Sequence, residues 1–269
     1  FNKKIKIVTT SHGGDVFGLK KLSSLKRWVA NNCDYLTVVS NAIREEFLKI
    51  GFINLDKVRV IPMGVDLSKF SPANLDDSIK KKYGINGHFI LFVGRLSEKK
   101  GVKYLVGAMP DIVKEHKDCK LLIVGDGEER EEIRKQISSL NMQDNIIMAG
   151  AIKNSDLPAY YATADIFVGP SIIAKDGDRE GFGLVFVEAI GSGCITIATD
   201  LPAISDIIED KKNGFIVPQE DSSEISRMCN ILLHDNNLSV SIREYGLKTI
   251  RSKFDWKMIS NNYVKILTR

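Results

Sequence analysis

Short β-branched apolar runs alternate with longer amphipathic stretches almost from end to end of the chain. That alternation predicts strand, helix, strand units, which build parallel sheets through right-handed crossovers, so the expected fold class is α/β. In the first part IKIVTT, YLTVVS and KVRVIP read as strands, with helices over 19–32 and 41–49. The segment PMGVDLSKFSPANLDD then breaks the pattern with prolines, a glycine and several Asp, Asn and Ser residues, which is linker chemistry, and the boundary falls near residue 70. Beyond it HFILFVG, CKLLIVG, NIIMAG, DIFVGP, CITIAT and GFIVP read as strands, with helices near 101–115, 128–140, 155–163, 183–192 and 203–208. This predicts one complete doubly wound domain. The remaining chain carries helical patterns near 222–234, 238–252 and 255–268, expected to cap the sheet and cross back over the first part. Three strands are few for a domain of the same kind, and Phe1 leads almost at once into a strand, so the chain is expected to be a fragment lacking on the order of a hundred residues of its first domain.

With 269 residues, 43% of them hydrophobic, there is ample material for real cores. A formal charge of +4, with basic and acidic residues interspersed, gives no nucleic-acid footprint. Cys33, Cys119, Cys194 and Cys229 lie far apart with no C-x-x-C spacing, which suits reduced thiols and a cytoplasmic protein. No apolar stretch reaches membrane-spanning length, so any membrane association is expected to be peripheral, on the inner face. The run LKKLSSLKRWV would suit an anionic surface, but leucines packed under a solvated basic face are the more ordinary reading.

Candidate chemistry is densest in REGFGLVFVEAIGSG. Glu180 precedes a glycine-punctuated turn and Glu188 falls inside a helical run. A helix opening near Gly183 would aim free N–H groups and its positive dipole end at a phosphate beside Glu180. An ordinary buried helix with Glu188 at solvent fits the same letters, and the stretch alone does not choose. The strand HFILFVG runs into Arg95, then Lys100 and Gly101. Ligands of open α/β sheets bind outside the carboxyl ends of strands, where a guanidinium and an ammonium suit a diphosphate, although the loop alone also reads as a solvated basic turn. The run LLIVGDGEER lacks the third glycine of a dinucleotide fingerprint, so it reads as a tight turn into a helix. His12, at another strand end, is able to donate a hydrogen bond into a cleft, though a lone histidine is more often structural. The acidic loop at 176–180 fits no calcium spacing, and no metal is expected.

Taken in order, HGGD (12–15), VVSNAIREEF (38–47), VIPMGVDLSKF (60–70), VGRLSEKKG (93–101), IVGDGEER (123–130), DGDREGFGLVFVEAIGSG (176–193) and NGFIVP (213–218) resemble the retaining glycosyltransferases of family 4. That resemblance implies a GT-B fold: residues 1–70 as the end of an acceptor-side Rossmann-like domain, 71–252 as the nucleotide-sugar donor domain, and 253–269 as a helix crossing back. It implies that Arg95 and Lys100 hold the donor diphosphate together with Gly183 and Leu184, that Glu180, Gly181 and Phe182 meet the donor sugar, and that Glu188 bonds the ribose. Gly150, Ala151 and Ile152 would meet the base through backbone atoms. His12 would reach the donor sugar, with Glu180 as its catalytic partner. The implied reaction is metal-independent, cofactor-free transfer of a hexose from a UDP- or GDP-linked sugar to a glycan or lipid-linked acceptor in cell-surface polysaccharide assembly, with retained configuration. Met63, Cys194 and Ile195 depart from the family pattern, and its N-terminal glycine-rich loop has no counterpart here. A non-catalytic nucleotide-sugar binding module is the rival expectation. A GT-B epimerase or phosphorylase shares the fold class but is not expected to carry this motif series.

Overall fold

The computed structural model describes residues 5–17, 23–49 and 54–268. Its first sheet is parallel, ordered β1 (Val8–Ser11), β2 (Tyr35–Val38), β3 (Val58–Val60), with helices α1 (Gly14–Phe17), α2 (Ser23–Asn32) and α3 (Asn41–Lys49) between the strands. Helix α4 (Asp77–Lys82) leads into the second unit. There β4 (Phe89–Val93), β5 (Lys120–Val124), β6 (Ile146–Gly150), β7 (Ile166–Gly169), β8 (Ile195–Thr199) and β9 (Phe215–Val217) form a parallel sheet in the order β6-β5-β4-β7-β8-β9. The helices α5 (Val102–Glu115), α6 (Arg130–Ser139), α7 (Leu157–Thr163) and α8 (Leu184–Gly191) connect these strands, and α9 (Ser222–His234), α10 (Asn236–Lys253) and α11 (Trp256–Thr268) follow them.

The five residues of β4 are all buried because both faces of this sheet are covered. Phe89, Leu91 and Val93 face a core shared with Phe186, Val187 and Ile190 of α8. Ile90 and Phe92 face the opposite core with Leu105 and Met109 of α5 and Ile225 and Cys229 of α9. This is the side-chain alternation of a strand sandwiched between helix layers. The strand order reverses between β4 and β7, and that switch point opens a crevice at their carboxyl ends.

The last helix returns to the first sheet. The amide of Val65 donates to Phe254 O at 2.9 Å and that of Trp256 to Val65 O at 3.0 Å, while Ile259 and Ile266 of α11 cluster with Ile61. A side chain on Gly64 would strike Trp256.

Three sequence expectations need correction. The helix expected at 203–208 is a single 3-10 turn, Ile204–Asp206. Here Asn213 intervenes: its Nδ2 donates to Ile207 O and its Oδ1 accepts from the Glu209 amide, so a side chain takes the backbone groups that a longer helix would pair. The first strand begins at Val8 rather than Ile5, which is 85% exposed and has no core to face. In α2, Leu25 is exposed rather than packed, Trp28 is exposed as well, and residues 19–22 of the expected helix lie outside the described residues. The four cysteines are buried and unbridged.

Candidate functional site

The loop leaving β4 carries Arg95 and, after a 3-10 turn over Glu98–Lys100, reaches Gly101 at φ 59°. A Cβ on Gly101 would strike Pro170 O, just past β7, so glycine lets the loops of the two switch-point strands touch. That contact brings two charged loops into register. The Lys99 ammonium lies 2.9 Å from Asp178 Oδ2, and the Lys100 ammonium donates to Glu180 Oε2 at 2.5 Å. Both side chains of the second pair are about 15% exposed (16% and 15%), so water screens it little. Arg95 differs: its side chain is 74% exposed and its guanidinium pairs with Glu128 at 3.2 Å.

Helix α8 starts one residue after Gly183, which sits at φ 94° and supplies no side-chain cap. In its first turn the Phe186 amide donates to Gly183 O at 3.0 Å, while the amides of Leu184 and Val185 precede the intrahelical ladder, as in any helix. Phe182 is 2% exposed, and its ring packs at a tilt on Phe254. One turn along α8 from Leu184, on the same face, lies Glu188. The Tyr161 hydroxyl donates to its Oε2 at 3.2 Å, and burial pushes the Glu188 carboxyl up to about 7.

Leu184, Val185 and Glu188 form one wall of a cleft of about 1270 Å³. Val93, the loop and helix at 154–160, and the linker residues Ser68, Lys69, Phe70 and Asn74 complete much of the rest. Arg95, Lys100, Glu180 and Gly150 to Ile152 are not in that lining. The sequence reading missed Lys69, Asn154, Asp156 and Tyr160: the first three are polar loop letters and Tyr160 lies inside α7, and none carries a signal of what it faces.

The first sheet reaches the same place. A Cβ on Gly181 would meet His12 O at 2.6 Å and Gly13 Cα at 3.0 Å, so the segment bearing His12 runs directly against the backbone next to Glu180. Ser40 Oγ donates to Gly181 O at 2.7 Å, Asn41 bonds Asp206 twice, and Arg179 pairs with Glu46 at 2.8 Å. At the far edge, Gly150 ends β6 at φ 73° with open space where a Cβ would stand, while Ala151 is exposed and Ile152 half-buried. Asp126 accepts from the Gly127 amide and pairs with Arg130 at 3.0 Å, which is the turn-into-helix reading. A Cβ on Gly125 or Gly127 would strike Gly94 O or Leu96 O, so these glycines serve close packing of two loops.

Two parallel-sheet units with the last helix returning to the first define a protein of the GT-B class. HepE of Anabaena, solved in complex with UDP and glucose, is similar with a TM-score of 0.85 over 98% of this chain and 71% of that one, at 22% identity. The chain belongs to the glycosyl transferases group 1 family, whose model matches residues 76–249, and residues 1–69 match Glycosyltransferase Family 4. It is 29% identical over 241 residues to an uncharacterized glycosyltransferase of Methanocaldococcus jannaschii, covering 87% of this chain and 60% of that protein. It is 26% identical over 260 residues to a GDP-mannose-dependent alpha-(1-6)-phosphatidylinositol monomannoside mannosyltransferase of Mycobacterium tuberculosis, covering 95% of this chain and 67% of that protein. The chain therefore spans 60% to 67% of the length of these curated relatives. No helix among the described residues is long and apolar enough to cross a membrane.

Proposed function

We propose that this chain carries the donor half of a retaining, metal-independent glycosyltransferase that moves a hexosyl group from a UDP- or GDP-linked sugar to a glycan or lipid-linked acceptor. The observation that carries the reading is the Lys100–Glu180 pair set beside the N-terminus of α8, at the switch point of the six-stranded sheet. An ammonium and free amides suit the diphosphate, and a carboxylate alongside suits the hydroxyls of the sugar attached to it. On donor binding, Lys100 passes from Glu180 to a phosphate oxygen, which leaves the Glu180 carboxylate to accept from sugar hydroxyls. His12 donates to the sugar from the opposite side, and Arg95 closes on the diphosphate from solvent. The Glu188 carboxylate accepts from the ribose hydroxyls, with the base against the backbone of Gly150, Ala151 and Ile152.

In the transfer step the bond from the anomeric carbon to the phosphate oxygen breaks, and the bond to the acceptor oxygen forms on the same face. The acceptor proton goes to the departing diphosphate, whose growing charge Lys100 and the α8 amides stabilise. A hexosyl donor is supported by a relative that uses GDP-mannose and by a structural neighbour bound to UDP and glucose. The exposed Leu25 and Trp28 of α2 support a peripheral membrane contact for a lipid-linked acceptor.

The test is a panel of UDP, GDP and ADP by calorimetry and thermal shift, since a ligand that binds only the folded chain raises its melting temperature. One diphosphate is expected to bind well ahead of the others. Binding of none would overturn the reading.

A further inference from the structure

Three of the chain's four histidines meet at the edge of the second sheet opposite the donor site. His88 precedes β4, His116 follows the last residue of α5, and His234 ends α9. Because α5 and α9 each start near the carboxyl ends of strands and run back, their last turns lie at the amino ends. The rings of His116 and His234 are 4.5 Å apart between centroids, and those of His88 and His116 meet edge-on at 5.0 Å. Glu115 Oε2 stands 4.0 Å from His234 Nδ1. One ligand atom from each of Glu115, His116 and His234 lies within 4.8 Å of the others.

Two details separate this cluster from simple packing. His116 Nε2 is buried and has no hydrogen-bond partner, a costly state for an imidazole nitrogen unless something binds it. Asn230 O lies 2.8 Å from His234 Nδ1, the nitrogen that also faces Glu115 at 4.0 Å; donation to Asn230 leaves Nε2 as the lone pair for an ion, and the Glu115 side chain must swing from Nδ1 toward it.

We propose that Glu115, His116 and His234 bind a divalent transition ion, with Zn2+ the best match, at a site separate from the donor cleft. Two imidazoles and a carboxylate form a ligand set that zinc accepts, with a fourth position for water or for His88. Tetrahedral zinc places its ligand atoms roughly 3.3–3.5 Å apart, given bonds of about 2.0–2.1 Å. The side chains of Glu115 and His234 are 52% and 60% exposed, so they are free to close the remaining gap by rotation. The ion would clip the end of α5 to the end of α9, helices that share one core. The sequence expectation of no metal came from the acidic loop at 176–180, and this cluster lies elsewhere.

The test uses the chain without a polyhistidine tag, titrated with Zn2+ or Mg2+ by competition against a chromophoric chelator and followed by thermal unfolding. One Zn2+ per chain is expected to bind and raise the melting temperature, with no response to Mg2+. His234→Ala and Glu115→Gln, both at exposed side chains, should each weaken Zn2+ binding roughly tenfold or more. His12→Ala, at the fourth histidine, should leave it unchanged. Absence of saturable Zn2+ binding, or wild-type affinity in both His234→Ala and Glu115→Gln, overturns the proposal. Circular dichroism of each variant separates loss of the site from loss of the fold.

Discussion

Glu180 and Glu188 stand on one short segment either side of Gly183, yet they occupy different electrostatic worlds. The Glu180 carboxylate is held by Lys100, and the pair is nearly shut off from water. Glu188 has no cationic partner among the described residues, only the Tyr161 hydroxyl, and burial holds its carboxyl near 7. The loop residue is thus matched with a counter-charge before any ligand arrives. The helical residue is poised to gain charge when something polar enters the cleft it lines. In the proposed reaction, pre-paired charge suits a group that would act on the sugar, and a carboxyl near neutrality suits one that would accept from hydroxyl donors.

The largest effect expected from breaking this contrast is on the rate of sugar transfer. Glu180→Ala should lower the transfer rate by about a hundredfold to a thousandfold, the usual cost of removing one aimed polar group from a reacting centre. Nucleotide binding should hold or tighten, because Lys100 loses its carboxylate and turns wholly to the diphosphate. Transfer assays with UDP- and GDP-hexoses alongside calorimetry check both halves. Unchanged turnover, or a nucleotide affinity that falls with the rate, would place the catalytic carboxylate elsewhere.

Glu188→Gln tests the other side of the contrast through stability. The folded-state pKa of about 7 lies above the ordinary carboxylate value, so between these values the native chain holds a proton that the unfolded chain has released. Stability from this group is therefore fullest at acid pH and declines as pH rises toward 7, by on the order of 3 kcal/mol in total. The glutamine variant should lack that decline, so urea unfolding at pH 5 and pH 8 should show it gaining on the wild type at the higher pH. Nucleotide affinity should move the opposite way, falling roughly tenfold as ribose loses a charge-assisted acceptor. In the wild type, affinity should strengthen as pH rises through 7. Parallel pH curves for the two proteins would mean that Glu188 does not titrate there.

Much of this contrast was legible in the letters of the chain. Wholly apolar runs such as FILFV and LLIV admit few placements other than a strand covered on both faces. The rule that ligands sit at strand carboxyl ends then drew attention to Arg95 and Lys100, and the glycine-punctuated turn into a helix drew it to Glu180. The pairing of Lys100 with Glu180 was not legible, because it depends on Gly101 allowing two distant loops to touch. The approach of His12 to Gly181 likewise rests on glycine meeting glycine across the two sheets. The short turn at 204–206 was misread as a helix because the signal against it lies in Asn213, beyond the segment itself. The histidine cluster escaped notice for the same reason: three strand and helix ends far apart in sequence meet only after the sheet has formed.

The smallest expected effect separates the two cations. Lys100→Ala removes a charge from a nearly water-free position, so affinity for the nucleoside diphosphate should fall about tenfold to a hundredfold, equivalent to roughly 1.5–3 kcal/mol. Arg95→Ala acts on a side chain that is 74% exposed and already paired with Glu128, and groups so exposed contribute roughly 0–1 kcal/mol. A loss of about two- to fivefold is expected there. Glu128→Ala sharpens the comparison, since it frees Arg95 without touching Lys100 and should tighten diphosphate binding slightly, most visibly at low salt. Calorimetry on the three variants ranks them directly. If Arg95→Ala costs as much as Lys100→Ala, the guanidinium leaves solvent and folds over the bound diphosphate, and the Arg95–Glu128 pair is then a resting contact that the donor displaces.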